Sequence, residues 1–373
     1  FIDSLQRKCA VRVLTYIDGS MYAKSKITTY TEKSLGRLLA LQSWQLQSFM
    51  DNQAIRNFEW DPSNIIWAKK FINLFKGSNK NIIKDTIEEH DKFVFKNIKN
   101  LRHSVTHGDP NDYNIVVNKE HIIGFIDFGD SIYAPVINDL AIALSYALMR
   151  SQNLYKSLQN IVGNYNEIYH LNSKEIYSLL SLIKSRLVIT LVMAAKQRKK
   201  YPDNKYLSIS ENNAWDLIYK LHKVDPYFFI AVIRDICNLE PVSNFSKKLQ
   251  LFKNQQFSNI FDFELSNINK KVVNFDKTSI LLKTKPSNKK LDNLVGKFLK
   301  KDIGIGLYKE KRKVYKSNHY ISSLNKSKRR DVHLGIDIFV KENTPIKSPL
   351  NGKVITLHNN NFKYDYGPTV ILE

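Results

Sequence analysis

The sequence has very few cysteines and no long apolar run without charge. Cys9 and Cys237 are the only two among 373 residues, too few for the disulfide framework of a small secreted fold. This scarcity indicates a reducing compartment, so we expect a cytoplasmic protein. The most apolar stretch, SLLSLIKSRLVITLVMAA, contains Lys184 and Arg186. We therefore expect a buried helix there, and no membrane span.

Acidic residues are scarce relative to basic ones. The 57 lysines and arginines outnumber the 35 aspartates and glutamates, which gives a net charge of +22. Such a charge attracts anions in general. However, lysine, asparagine and isoleucine are abundant throughout, and no stripe of alternating aromatic and arginine residues occurs. The composition therefore indicates no specific nucleic-acid partner.

The spacing of apolar residues divides the chain into regions of different structure. Residues 9–19 are rich in strand-forming types and end at a turn signal, Asp18-Gly19. Residues 105–129 also have strand character, and those after 330 form short strands between Asn, Gly and Pro. Helical spacing covers four stretches: 34–50, 64–75, 81–98 and 139–237.

These regions predict two domains. We expect the first over residues 1–242 and a β domain over residues 297–373. Residues 243–292 are rich in Lys, Asn, Ser and Phe without a clear period. We therefore expect a linker over residues 243–296.

The stretch VTHGDPNDYNIVV, residues 105–117, interrupts a strand pattern with many polar groups. Asp109 and Asn114 lie five residues apart on one loop, and Asp127 follows at the end of the next strand. Because a hairpin brings its strand ends together, we expect these three side chains to converge. Phosphoryl transfer from a nucleotide needs an acceptor beside the attacking hydroxyl and oxygen ligands for Mg²⁺. The spacing therefore fits a phosphoryl-transfer site.

The segments HGDPNDYN and GFIDFGD together resemble the catalytic and metal-binding loops of the aminoglycoside phosphotransferase/choline kinase family, relatives of protein kinases. The longer string, which continues to NDLAIALSYAL, is most similar to the hydroxylysine-kinase-like branch. The resemblance implies an α+β, protein-kinase-like fold. We expect a small-lobe remnant and a mainly helical C-lobe, followed by a partial all-β domain.

The same resemblance implies roles for the polar residues. Asp109 would be the catalytic base, and Asn114 and Asp127 would bind Mg²⁺ together with ATP or GTP. His107 would orient the loop, although it could instead be only a satisfied loop histidine. Asp139 is expected to be structural, as a cap of its own helix. We expect Asp112 and Asp130 to be turn or supporting groups.

The segment VRVLTYIDG resembles the last strand of the small lobe and the hinge of this family. Its backbone at Thr15, Tyr16 and Ile17 would then pair with the nucleotide base. The family's phosphate-covering loop, strand lysine and helix glutamate would all precede Phe1. We therefore expect a fragment, and we expect these residues alone not to turn over.

A second polar pair occurs near the C-terminus. His333 and Asp337 lie four residues apart, and both are suitable zinc ligands. Residues four apart in one strand share a face, so both could reach one metal. The string around them resembles the LytM/lysostaphin-type zinc metallopeptidase family over residues 330–373. The family's remaining ligands are absent, so the zinc site would be incomplete, and we expect His358 to be a surface residue.

The favoured function is a small-molecule kinase acting on an amino alcohol or a hydroxy amino acid such as hydroxylysine. Asp109, Asp130 or Glu211 could meet the amine of such a substrate. One alternative is a cell-wall zinc metallopeptidase with a kinase-like passenger. Another is a non-catalytic interaction or spacer protein. By analogy of domain order alone, a pyridoxal-phosphate-dependent class III aminotransferase module could follow in a longer protein.

Overall fold

The computed structural model describes most of the chain in two compact units. The described residues are 4, 6–8, 13–200, 211–283, 288–315, 318–321, 328–361 and 366–372. The units are Phe1–Phe245 and Ser246–Glu373, called unit 1 and unit 2 below.

Unit 1 is mainly helical. Its α-helices are α1 (Thr29–Leu46), α2 (Gly77–Phe93), α3 (Ile137–Met149), α4 (Leu154–Ile168), α5 (Ser173–Lys200), α6 (Glu211–His222) and α7 (Pro226–Ile236), while α8 (Phe245–Lys253) begins at the last residue of the unit. Short 3-10 segments cover Tyr22–Lys24, Asn52–Ala54, Ile66–Leu74, Phe95–Asn100 and Phe128–Asp130. The α-helical spacing predicted over 64–75 therefore gives a 3-10 segment.

Local sequence signals explain where the helices begin. Thr28 accepts a hydrogen bond from the backbone N–H of Thr31 at 3.2 Å, and the Thr31 hydroxyl accepts one from the Thr28 N–H. This reciprocal capping box fixes the first turn of α1. At α7, Asp225 caps the N–H of Phe228 at 2.8 Å, and Pro226 follows at the first helical position.

The strands of unit 1 surround the polar stretch. They are β1 (Ser20–Met21), β2 (His103–Thr106), β3 (Ile115–Asn118), β4 (His121–Phe125) and β5 (Ile132–Pro135). One antiparallel sheet has the order β1-β3-β4, and β2 pairs with β5 antiparallel. The β3–β4 hairpin pairs Ile115 with Phe125. The segments on either side of the hairpin, which contain Asn114 and Asp127, therefore lie side by side.

Helix α5 forms the centre of unit 1. Residues Ser173–Arg198 are long and apolar enough to cross a membrane, but 83% of the most apolar stretch is buried inside the protein. Neighbouring helices α2, α3 and α6 all pack against it. This burial agrees with the buried helix expected from the sequence.

Unit 2 contains helices as well as strands. Its strands are β6 (Lys270–Val272), β7 (Ile303–Gly306), β8 (Glu310–Lys311), β9 (Val332–His333), β10 (Asp337–Phe339), β11 (Val354–Asn359) and β12 (Pro368–Leu372). They form a β10-β7-β6 sheet and the pairs β8–β9 and β11–β12. Helix α9 covers Asn288–Leu299. The small core of this unit consists of Val273, Phe275, Val295 and Leu299, and the last two belong to α9.

Part of the segment expected as a linker contributes to this unit. Strand β6 pairs in parallel with β7, and α9 supplies Val295 and Leu299 to the core. The signal in the sequence is the spacing of Leu291, Val295 and Leu299, which repeats every four residues within a lysine-rich stretch. The helix also means that unit 2 is not composed of strands alone.

Candidate active site

The loop that follows β2 is held by a buried carboxylate from α3. Asp139 accepts hydrogen bonds from the backbone N–H groups of His107 at 2.8 Å and Gly108 at 3.0 Å. The side chain of Gln42 donates a third bond at 3.0 Å. Burial raises the pKa of Asp139, and these hydrogen bonds and His107 oppose that rise. We expected Asp139 to cap its own helix, but α3 has no side-chain cap, and the carboxylate fixes the loop instead.

His107 joins the two polar loops. Its side chain is fully buried, with Nε2 3.0 Å from the carbonyl of Ile126 and Nδ1 3.3 Å from the backbone N–H of Asp109. These partners assign the tautomer with the proton on Nε2. The ring also packs against Phe128, with the ring centres 4.4 Å apart. This geometry is consistent with the predicted loop-orienting role.

Asp109 and Asn114 are brought together by a tight turn. The carbonyl of Asp109 accepts bonds from the backbone N–H of Asn111 at 2.8 Å and from the side-chain amide of Asn114 at 2.9 Å. The Asn111 side chain donates to Oδ2 of Asp109 at 2.7 Å. The Ile126 N–H donates to the carbonyl of Asn114 at 3.0 Å, which places Asp127 beside this turn. The structure therefore gathers Asp109, Asn114 and Asp127, as predicted from their spacing.

Two residues with positive φ allow the loops to approach closely. Asp127 has φ +63°, and its carboxylate accepts a bond from the N–H of Gly129. Gly108 has φ +85°, and a β-carbon there would lie 2.1 Å from the carbonyl oxygen of Asp130. Glycine is therefore required at position 108 both by the backbone conformation and by the close contact.

The site is rich in negative charge. Burial raises the pKa of Asp130, and the carboxylates of Asp109 and Asp127 raise it further, against the opposing charges of Arg56 and Arg186. Raised pKa values of this kind are common where carboxylates share a cation or substrate site. A bound cation would relieve the repulsion among these groups.

The donor set fits magnesium. Among the residues described, no group of three or more His, Cys, Asp or Glu side chains could hold a metal ion. Mg²⁺ does not require one, because it commonly binds through one or two protein oxygens plus phosphates and water. Asn114 uses its nitrogen in the bond to Asp109, which leaves its side-chain oxygen for a cation. That oxygen and the Asp127 carboxylate are the ligands this loop pair offers.

Sequence reasoning missed Arg186 as a site residue. Its Nη2 lies 2.5 Å from Oδ1 of Asp109, and its side chain is only 1% exposed. The sequence did contain a signal, since a charge inside the most apolar helix must find a partner when that helix is buried. Its partner is 77 residues away in sequence, so the pairing itself was not readable.

The expected hinge is partly described. Residues 9–12 lie outside the described residues, and residues 13–18 have no regular secondary structure. Thr15 and Tyr16 are exposed, while Ile17 lies against Gly124, where an added β-carbon would be 2.8 Å from the Ile17 side chain. The absence of a side chain at position 124 therefore makes room for Ile17, and base recognition by this segment stays a prediction.

Glu211 and His358 have simpler surroundings. Glu211 forms an ion pair with Arg198 at 2.6 Å, so the carboxylate already has a cationic partner. This pairing weakens the case for Glu211 as the group that meets a substrate amine. His358 lies exposed on β11, the surface location expected.

The zinc prediction for unit 2 is not supported. His333 and Asp337 do approach each other, with Nε2 3.2 Å from Oδ1, but they belong to different strands, β9 and β10. The other Asp337 oxygen is hydrogen-bonded to the guanidinium of Arg312, which also binds Glu310 at 2.8 Å. The positive charge beside Asp337 is therefore supplied by Arg312, and within the described part of the chain no third His, Cys, Asp or Glu side chain joins this pair to hold a metal ion.

Comparisons with known proteins agree with the geometry of unit 1. Residues 2–163 match the phosphotransferase enzyme family, APH. The chain is 29% identical to hydroxylysine kinase of Mus musculus over 226 residues, covering 57% of this chain and 60% of that protein. It is 27% identical to the Xenopus laevis hydroxylysine kinase, covering 58% and 62%. The chain thus spans about three fifths of the length of these curated relatives.

Solved structures also resemble this chain. A choline/ethanolamine kinase family protein from Mesorhizobium loti gives a TM-score of 0.43 at 13% identity, covering 59% of this chain and 72% of that chain. Amicoumacin kinase in complex with AMP-PNP gives 0.39 at 14% identity, covering 56% and 64%. The α+β class is confirmed, and the family match over residues 2–163 supports the kinase-like fold of unit 1.

Proposed function

We propose that this chain carries the acceptor and metal side of a small-molecule kinase. The enzyme would transfer the terminal phosphoryl group of ATP or GTP to the hydroxyl of an amino alcohol or a hydroxy amino acid of the hydroxylysine type. The observation that carries the proposal is the backbone bond from Ile126 to Asn114, which joins the Asp109 loop to Asp127. The homology to hydroxylysine kinases indicates a hydroxyl acceptor.

Asp109 is the proposed proton acceptor in this scheme. The acceptor oxygen attacks the γ-phosphorus, the bond from that phosphorus to the β–γ bridging oxygen breaks, and the hydroxyl proton passes to the Asp109 carboxylate. Asn114 and Asp127 would hold Mg²⁺, which would neutralise phosphate charge. His107 and Asp139 hold the backbone of the loop that carries this carboxylate.

The charge of the site suits a cationic acceptor. The charges of Asp109 and Asp127 both act on Asp130. A protonated amine is attracted to such a group, and Asp130 is the carboxylate to which this scheme assigns no chemical task. We therefore propose Asp130 as the residue that meets the substrate amine.

A phosphorylation screen tests the proposal. The protein, expressed from its complete reading frame, is supplied with Mg²⁺, ATP or GTP, and a panel of amino alcohols and hydroxy amino acids. We expect product only with acceptors that carry both an amine and a hydroxyl. Asp127→Ala should weaken activation by Mg²⁺, which a titration with the metal would measure. Absence of phosphorylation across the panel would contradict the proposal.

Several expectations from the sequence remain predictions. These are base recognition at residues 15–17, the cytoplasmic location, the likeness of residues 330–373 to LytM-type domains, and a downstream aminotransferase module. We propose that unit 2 is an accessory unit, because Asp337, one residue of its His333–Asp337 pair, is already hydrogen-bonded to Arg312.

A further inference from the structure

We infer that Arg186 is a positioning residue for Asp109, holding the carboxylate of the proposed base in one orientation. This inference rests on the proposed function. It concerns a residue from α5 that lies far from the polar loops in sequence. The contacts of Asp109, the contacts of Arg186 and the charge balance between them each support it.

Both oxygens of the Asp109 carboxylate are held, each by a different partner. Oδ1 lies 2.5 Å from Nη2 of Arg186, and Oδ2 lies 2.7 Å from the side-chain amide of Asn111. With a donor on each oxygen, the carboxylate cannot rotate without breaking a hydrogen bond. A short, charge-assisted bond from a guanidinium is the stronger of the two.

Arg186 is itself held from several directions. Its Nη1 donates to the carbonyl of Trp60 at 3.2 Å, and Nη2 also lies 3.2 Å from the hydroxyl of Tyr146. The guanidinium carbon is 4.7 Å from the centre of the Trp60 ring and 5.6 Å from that of Tyr146. Only a planar guanidinium can stack on rings and donate in several directions at once, so lysine cannot reproduce these contacts.

The contacts of Arg186 complete a closed path around the loop, made of hydrogen bonds and two pairs of sequence neighbours. The residue after Trp60, Asp61, accepts a bond from Asn138 at 2.9 Å. Asn138 adjoins Asp139, which holds the backbone of the catalytic loop. Arg186 completes the path by joining Trp60 to the side chain of that loop's aspartate. Its removal would leave the backbone anchored and the carboxylate held by the Asn111 amide alone.

The charge balance keeps Arg186 ionised although it is buried. Burial on its own would lower the pKa of Arg186, but Asp109 and Tyr146 more than offset this, so the pKa is raised. The ionised guanidinium therefore keeps the charge-assisted bond that orients the Asp109 carboxylate.

Kinetics of Arg186→Met test the inference in the protein expressed from its complete reading frame. We expect kcat/KM for the acceptor to fall about 100-fold, the scale of a misplaced catalytic group. KM for the acceptor should change less than about threefold, so that the loss falls on kcat, because the variant disturbs the base and not the binding of the acceptor. Arg186→Lys keeps the charge and loses the planar guanidinium, so kcat/KM should fall only about tenfold.

Lys184→Met provides the matched control. Lys184 lies on the same helix, is 2% exposed and pairs with Glu89 at 2.8 Å. This control variant removes a buried cation without touching Asp109, so kcat/KM should change less than about threefold. Equal losses of kcat/KM in the methionine variants at 184 and 186, or a loss in Arg186→Met that comes from KM alone, would overturn the inference. If Arg186→Met does not fold, a kcat/KM of Arg186→Lys equal to that of the wild type would overturn the inference. If the wild-type protein has no activity, the proposed function is refuted instead.

Discussion

The carboxylate of Asp139 accepts a hydrogen bond from the backbone N–H of His107 at 2.8 Å. A second bond from Gly108 makes this carboxylate the anchor of the loop that carries the proposed base. Asp139 lies 32 and 31 residues from these two partners. The site thus depends on a contact between α3 and the loop, and single substitutions can test it.

Asp139→Asn should loosen the loop. The amide can present only one acceptor oxygen, so one of the two backbone N–H groups loses its partner. We expect the free energy of unfolding to fall by about 1–3 kcal/mol, the cost of a buried unsatisfied group, and phosphoryl transfer to fall with it. Urea unfolding and kinetics would measure both. The control Gln42→Leu leaves both backbone bonds in place, and an equal loss of activity there would contradict the anchoring role.

Gly108→Ala should disrupt the approach of the two loops. A β-carbon at this position would meet the Asp130 carbonyl at 2.1 Å, and the backbone has φ +85°. Gly77 is the matched control, since it also has a positive φ, +52°, but nothing lies within 4 Å of its added β-carbon. We expect Gly77→Ala to cost about 1 kcal/mol and Gly108→Ala clearly more, with loss of activity. Similar melting temperatures for the two variants would argue against the close contact.

Unfolding should depend on the protonation of His90. This side chain is fully buried in α2, and burial lowers its pKa to about 4. Between the unfolded value near 6.5 and this folded value, the unfolded chain binds more protons, so stability decreases as the pH falls. From pH 7 to pH 5 the contribution of His90 should decrease by about 2 kcal/mol.

His90→Leu should remove that part of the acid dependence. Urea unfolding at the two pH values would measure it, with His121→Gln as the control, because His121 is exposed on β4. If His90→Leu and the wild type lose the same stability on acidification, His90 is not responsible.

Arg312 should stabilise unit 2. It is 8% exposed and binds Glu310 and Asp337, so Arg312→Met leaves a buried Glu310 carboxylate without its cation. We expect a loss of about 3 kcal/mol, seen as faster hydrogen exchange over residues 303–311. The control Lys347→Met breaks an exposed pair with Asp262, worth at most about 1 kcal/mol. Unchanged exchange in Arg312→Met would show that the network is not stabilising.

The local part of the site could be predicted from the sequence. Asp109 and Asn114 belong to one turn, and a hairpin carries the chain to Asp127, so spacing alone placed them together. The same holds for α5, whose apolar length indicated burial. Turn chemistry and hairpins act over a few residues, which is the range a single sequence reveals.

The long-range part could not be predicted. Arg186 contacts Asp109 only because the fold brings α5 next to the loop. Asp139 binds the backbone of the loop, and does not cap α3, because the fold brings α3 next to the loop as well. In unit 2, Arg312 binds Asp337, which lies 25 residues away in sequence and was considered as one ligand of an incomplete zinc site. Tertiary packing decides these partners, and no local pattern specifies them.

The most direct test compares the wild type with Asp109→Asn in phosphoryl transfer from ATP to an amine-bearing hydroxyl acceptor. The protein is expressed from its complete reading frame, and Asp112→Asn, three residues along the same stretch, serves as the control. We predict transfer by the wild type and the control, and a loss of about 100-fold or more in Asp109→Asn, with folding unchanged. Retained transfer in Asp109→Asn would contradict the assignment of Asp109 as the base.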